Sequence, residues 1–591
     1  MNFRTTLIIF AVFILLGGAY LLFWQGEPDE DANGDGQQKI GAAYGLDKDK
    51  IRQIRLSFKD ESYQSMTLAK NSGGLWQLTH PITADADGAK IDNMLRELLN
   101  KKIKRRLEVT ELSQYGLNPY NIQIEIWEEA TTPTKTFLIG DKTIHYSVYT
   151  KEKSEGGVIL IESSILDDFT KSPSDLRDRT VLKFESENVS EMTLQVTDQA
   201  EIRCQKSDEN EWKMVHPVEA KADVKEIGSI LTALDTLKVA VFEADGAVDL
   251  AKYELDSPRI RVKLQLSENN GQELLIGGEA GTTGRIYVKR AEEDSIYAVS
   301  KEIHIALNKT VFDLRDKRVI DFQRTATNRF EIEQAGQKIV CEKNADDEWE
   351  IKEPVTLKAD ASAVDDLLFG VDALKAVEFV SDHPKSLQPY GLDRPSIQIS
   401  FMATDAEPTT FLIGKQKDDT VYVKAQNAEN VVLVKTDILE LVGMGVAGLR
   451  DKQVIDFSSD DATKLTLQHG EVNLTCQKQG TNWRLTKPVQ EDAKNGAVNS
   501  IIYQINTLEA EKFLVKMPNV VAIGLDNPQI QVTVTLDSGK EYVLQIGKLD
   551  ESKRLYARLW REPNTIFLLK ADIADELKKT VEDLRATSDG A

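Results

Sequence analysis

The sequence predicts an α+β fold built four times over. Each of four tandem repeats is expected to be a mostly antiparallel β-sheet with a main packed helix and a short C-terminal helix, and one N-terminal transmembrane helix precedes them. Three observations predict this. First, one phrase recurs: Tyr115-Gly-Leu-Asn-Pro119, Tyr253-Glu-Leu-Asp-Ser-Pro258, Tyr390-Gly-Leu-Asp-Arg-Pro395 and Ile523-Gly-Leu-Asp-Asn-Pro528. Its leucines stand at 117, 255, 392 and 525, a period of 133 to 138 residues. That period is a whole domain rather than a solenoid unit of about 20–50 residues. Second, apolar residues fall at helical spacing before the phrase and alternate after it. Third, an uncharged and mostly apolar run extends from Leu7 to Trp24.

The elements follow in chain order. Residues 1–6 form a short N-terminus carrying Arg4, and 7–24 is about the minimum length that spans a bilayer. Arg4 before the run and Glu27-Pro-Asp-Glu-Asp31 after it place the N-terminus in the cytoplasm and the rest outside. No small-x-small cleavage site follows closely, so the run reads as an uncleaved signal anchor. No cysteine near its end permits a lipid anchor. Residues 25–46 are rich in Gly, Asp and Gln and read as an acidic flexible spacer. Four modules follow at 47–178, 179–316, 317–451 and 452–586, with a tail at 587–591.

Within a module, two short strands lead into Trp-x-Leu/Met/Ile-x-x-Pro, at Trp76–Pro81, Trp212–Pro217, Trp349–Pro354 and Trp483–Pro488. The main helix comes next. Val224, Ile227, Ile230, Leu231, Leu234 and Leu237 make one apolar stripe in module two; Val498, Ile501, Ile502, Ile505 and Leu508 make it in module four. After the repeated phrase the period becomes two: Ile122, Ile124 and Ile126; Ile260, Val262 and Leu264; Ile397, Ile399 and Phe401; Ile530, Val532 and Val534. A further strand ends in Ile-Gly at Gly140, Gly277, Gly414 and Gly547, and each module closes on Leu-Arg at Arg177, Arg315, Arg450 and Arg585. The phrase's glycine is expected to serve a turn with positive φ, although Glu254 fills the slot once. The closing arginine is expected to pair with a carboxylate of its own module.

Composition narrows the function. The chain holds 96 acidic and 73 basic side chains, a net charge of −23. Such a surface repels phosphate backbones, so no nucleic-acid partner is expected. Cys204, Cys341 and Cys476 occupy one position of modules two to four, where module one has Leu68. They read as small buried apolar residues, too far apart for a disulfide. Gly443-Met-Gly445-Val-Ala-Gly448 matches a nucleotide-loop pattern but follows a helical segment, and its counterparts lack glycine. Asp29-Glu-Asp31-Ala-Asn33-Gly34 begins like a calcium loop but places Ile40 where a bidentate Glu is needed. No catalytic, cofactor-binding or metal residues emerge, and no enzyme is expected.

The Trp-x-Leu-x-x-Pro motif, Tyr-Gly-Leu-Asp-x-Pro, the Ile-Gly strand end and Leu-Arg-Asp-Lys, in fixed order over nearly all of 47–586, resemble the bacterial repeat family catalogued as domain of unknown function 4340. The resemblance implies, by association, an envelope accessory subunit beside ABC-2-type export permeases and gliding-auxiliary-like proteins. It carries no catalytic residues to transfer. The expectation is therefore a membrane-anchored, non-enzymatic scaffold in the bacterial inner membrane, its bulk periplasmic or otherwise extracytoplasmic, with inner-membrane proteins as partners. The alternative is an envelope glycan- or peptide-binding protein that uses Trp76, Trp212, Trp349 and Trp483 as stacking platforms.

Overall fold

The computed structural model describes residues 38–586, apart from 130, 208, 247, 268–269, 282–283, 405 and 515. Segments 1–6 and 7–24, the acidic stretch from Asp29 and the tail 587–591 lie outside the described residues. Among the described residues, no helix is long and apolar enough to cross a membrane. The expected fold class is corrected accordingly. The described residues form four nine-stranded antiparallel sheets with few helices, and they give no support to a transmembrane helix.

Sheet accounts for far more of each module than the alternating segments alone indicated. In the first module β1 is Gln53–Phe58, β2 Met66–Lys70, β3 Trp76–His80, β4 Ala84–Asp85, β5 Arg105–Leu107, β6 Ile122–Trp127, β7 Lys135–Lys142, β8 Ser147–Glu152 and β9 Val158–Glu162. Their order across the sheet is β4-β3-β2-β1-β6-β7-β8-β9-β5. Two meanders are thus joined at the centre, where β1 pairs antiparallel with β6 and sets Ile54 opposite Ile126 and Leu56 opposite Ile124. The same order recurs in the other three sheets.

The main helices are Gly88–Asn100, Val224–Asp235, Ala361–Asp372 and Asn495–Asn506. In the first, Ile91, Met94, Leu95 and Leu98 are buried in one cluster with Ile54, Leu56, Ile124, Ile126 and Phe137. Helical spacing and strand alternation therefore meet on one sheet face. A smaller cluster of Leu117, Leu138 and Val158 covers part of the opposite face, beneath the repeated phrase. The single closing helix expected for each module is two short pieces, for example Ser164–Phe169 and Pro173–Leu176.

The boundary of the first module also moves. Residues 40–46, expected in the spacer, are built into it: Ile40–Tyr44 is helical, and Ile40, Tyr44 and Leu46 join the core. The Ile40 amide donates to the Lys101 carbonyl and the Ile103 amide to that of Gln38. In the second module Val181 donates to Leu237, and Val239 to Arg179, in the same pattern. The sheet edge needs this strap in every copy, and the first module draws it from residues before 47.

By contact density the chain divides into two compact units. One, described from residue 38, runs to Pro217 and resumes over Val224–Val311; the other comprises Val218–Asp223 and the chain from Phe312.

Candidate functional site

Every recurring signature residue has a structural task, and these tasks define what is left for function. The tryptophans come first. Trp76, Trp212, Trp349 and Trp483 are 5%, 6%, 6% and 2% exposed. Each sits directly across the strand pair from a lysine: Lys70, Lys206, Lys343 and Lys478. The ammonium groups lie 5.0, 5.9, 5.7 and 5.9 Å from the indole centres, within cation–π range. The Trp76 indole N–H donates to Asp92 of the main helix at 3.0 Å, and that of Trp483 to Asn499 at 2.8 Å. Trp76 and Trp483 thus tie sheet to helix, and all four rings are buried rather than presented as stacking platforms.

The cysteines flank a β-bulge in the strand before each tryptophan, and all three are fully buried. Burial pushes the thiols of Cys204 and Cys341 up to about 12 and that of Cys476 to about 11. A thiol held that far from its thiolate is neither a nucleophile nor a ready metal ligand.

The repeated phrase and the Ile-Gly strand end are two halves of one contact. A Cβ on Gly140, Gly277, Gly414 or Gly547 would overlap the carbonyl oxygen of Tyr115, Tyr253, Tyr390 or Ile523 respectively. The strand glycine exists so that the turn can lie on it. The turn residue is left-handed in all four copies, at φ 65° for Gly116, 54° for Glu254, 68° for Gly391 and 74° for Gly524. The expected positive φ is therefore present even where glycine is not. Asp141, Lys415 and Lys548 lie over the three turn glycines, where an added Cβ would meet them. In the second module the roles are exchanged: Glu254 supplies the side chain, and Gly278 leaves it room.

The closing arginines depart from expectation. Arg177 is 4% exposed and its guanidinium makes two hydrogen bonds of 2.9 Å to Asp245, a residue of the next module. It also stacks on Phe242, 3.7 Å from the ring centre. Arg315 repeats the arrangement with Asp382 at 2.7 Å and Phe379 at 3.6 Å, all within the second unit. The backbones of Arg177, Arg315, Arg450 and Arg585 form bridges to Ala86, Ala222, Ala359 and Ala493, extending the sheet edge by one residue. Only Arg585 pairs within its own module, with Glu491 and Glu582. The arginine is a clasp, and two-to-one partner geometry with a planar carboxylate is what guanidinium does better than ammonium.

A cleft of about 360 Å³ opens over the Arg177 clasp, with Asp85, Lys183, Phe242, Arg290 and Asp294 among its walls. Lys183 pairs with Asp85 at 2.8 Å and with Asp178 at 2.9 Å. The Lys183 hydrogen bond holds the Asp85 carboxyl below the usual range. Burial works against ionising Asp178, but Lys183 and Thr180 outweigh it and hold that carboxyl low as well.

One cluster is peculiar to the first module and has no sequence signal of its own. Lys101 is 7% exposed and stands where the other modules have Leu237, Leu374 and Leu508. Its ammonium lies 2.6 Å from the Ser164 hydroxyl, 3.4 Å from Asp168 and 3.8 Å from Glu97. Flanked by two carboxylates, it is an ion pair that tethers a closing helix to the main helix. Gly443 and Met444 join helices Asp437–Val442 and Gly445–Leu449, so a helix stands where a nucleotide loop requires a strand. Among the described residues, no group of three His, Cys, Asp or Glu side chains is placed to hold a metal ion.

One family model, described as "Domain of unknown function (DUF4340)", matches residues 76–214, 212–350, 349–528 and 483–588. The chain belongs to the DUF4340 family. The four DUF4340 matches begin at Trp76, Trp212, Trp349 and Trp483. Their frame is thus offset from the folded modules, which start at the strap before each first strand. No curated protein matches the chain.

Proposed function

We propose that this chain is a non-enzymatic scaffold, an accessory subunit of a bacterial envelope complex of the ABC-2 export or gliding-auxiliary type, working on the extracytoplasmic side of the inner membrane. One observation carries the non-enzymatic part. Most of the residues that recur in all four modules are consumed by the architecture: the tryptophans by burial, the glycines by the turn contact, and Arg177 and Arg315 by the clasp. A scaffold recognises its partners through the exposed side chains that such an architecture leaves free. The transport association rests on the motif resemblance alone. Affinity capture of the intact protein from gently solubilised membranes, with mass spectrometry of what accompanies it, tests the reading. A permease or ATPase at near-equal yield is the expected result. Recovery of the protein alone, under conditions that keep control complexes intact, would overturn it.

A further inference from the structure

The third clasp lacks its carboxylate. Arg450 stacks on Phe513 at 3.5 Å, the shortest of the three ring contacts. Three residues after Phe242 and Phe379 come Asp245 and Asp382; three residues after Phe513 comes Lys516, which is exposed. No hydrogen bond or ion pair reaches the Arg450 side chain among the described residues, and its Nε is buried without a partner. Arg450 as a whole is only partly buried. Burial pulls the Arg450 guanidinium below its usual range, with only Glu562 and Asp451 opposing from a distance. The Ser295 hydroxyl donates to Asp245 at 3.2 Å in the filled clasp, and Thr565 holds the matching place, two residues before the strand position paired with Phe513.

We propose that Arg450, Lys516 and Thr565 form a binding site for a carboxylate supplied from outside the module. The filled clasps show the shape of the occupant: a carboxylate beside the stacked guanidinium, received in two hydrogen bonds at Arg177 and one at Arg315. The filled sites carry one positive and one negative charge. The open site has Lys516 in the sequence position of the filled sites' carboxylate, and Glu562 and Asp451 act on Arg450 only from a distance, so an anion is the ligand its electrostatics favour. A stacked guanidinium is already oriented, which lowers the entropic cost of binding. The site stands independently of the scaffold reading. The carboxylate can come from an acidic protein segment or from a small organic acid, and these share one chemistry.

The test uses the full chain and two probes, hexaglutamate peptide and succinate, titrated by calorimetry at low ionic strength, where exposed charges are least screened. Wild type is expected to bind at least one probe. Lys516→Asp restores the intramolecular partner; it is expected to weaken binding about tenfold or more and to raise the melting temperature. Lys516→Gln is expected to weaken binding without raising the melting temperature. Saturation by succinate and its displacement of peptide identify a small acid as sufficient; binding of peptide alone identifies a protein segment. Failure of both probes to bind wild type overturns the proposal, as does equal binding by Lys516→Asp.

Discussion

At the residue scale, the most informative contact is the one between turn and strand glycine. Gly277→Ala would drive a methyl group into the Tyr253 carbonyl, and neither partner is a flexible side-chain end. A loss of about 3 kcal/mol is expected, at the upper end of overpacking costs. Urea denaturation of wild type and variant measures it, and a loss below about 1 kcal/mol would mean that the turn can lift away. Glu254→Gly tests the other half. The left-handed backbone at Glu254 costs about 1–2 kcal/mol in an L-residue, and glycine returns part of that as unfolded-state entropy. A net gain of about 0.5–1 kcal/mol is expected, because the exposed Glu254–Arg259 pair that is lost contributes little. The reverse change, Gly391→Glu, is expected to lose more than Glu254→Gly gains, since a Cβ at 391 crowds Lys415. The left-handed turn was legible in the phrase itself. The reason for the strand glycine was not, because the carbonyl that demands it lies more than twenty residues away in sequence.

At the element scale, helix starts separate the fourth module from the first and third. Asp87 caps the first main helix by accepting from the Lys90 amide, and Asp360 caps the third by accepting from Ser362 and Ala363. The corresponding residue of the fourth is Lys494, which caps nothing and places positive charge at the positive end of the helix dipole. Lys494→Asp is expected to stabilise this module by about 1 kcal/mol. Calorimetry should show a rise of a few degrees in one transition; no rise would mean that helix entry is fixed by the Lys494 amide bond to the Leu584 carbonyl alone. Main helices and central strands were legible because each is long enough to display a period. Strands such as Ala84–Asp85, Arg105–Leu107 and Lys512–Phe513 were not, since two or three residues show no alternation and their places at sheet edges are decided by distant partners. The helix at Ile40–Tyr44 was hidden for the same reason, beside a polar stretch that masks its two buried residues.

At the scale of the whole molecule, the Arg177 clasp joins the first module to the second within one compact unit. The Arg177 clasp is the one to break, because both its partners, Phe242 and Asp245, belong to the same compact unit. Arg177→Ala removes a nearly buried guanidinium and leaves Asp245 with the Ser295 hydroxyl and the Phe242 face with the more distant Arg179. The expected cost is about 2–3 kcal/mol, below that of a fully buried pair because the Asp245 side chain is 34% exposed. Hydrogen exchange should show lost protection around 177–183 and 241–245, with the sheet centre at β1 and β6 unchanged. Arg450→Ala is expected to lose clearly less, since no carboxylate answers that guanidinium; equal losses would mean that ring stacking, not the ion pair, carries the clasp. Acidity probes the same junction without mutation. The carboxyls of Asp85 and Asp178 are held low in the folded state, so their contribution is fully present above the unfolded value of about 4 and is lost as pH falls through the folded values. Exchange protection at 177–183 should therefore persist from pH 8 to about 5 and decline below about 4. If it falls between pH 7 and 5 instead, a histidine rather than the Asp85–Lys183–Asp178 network controls the junction.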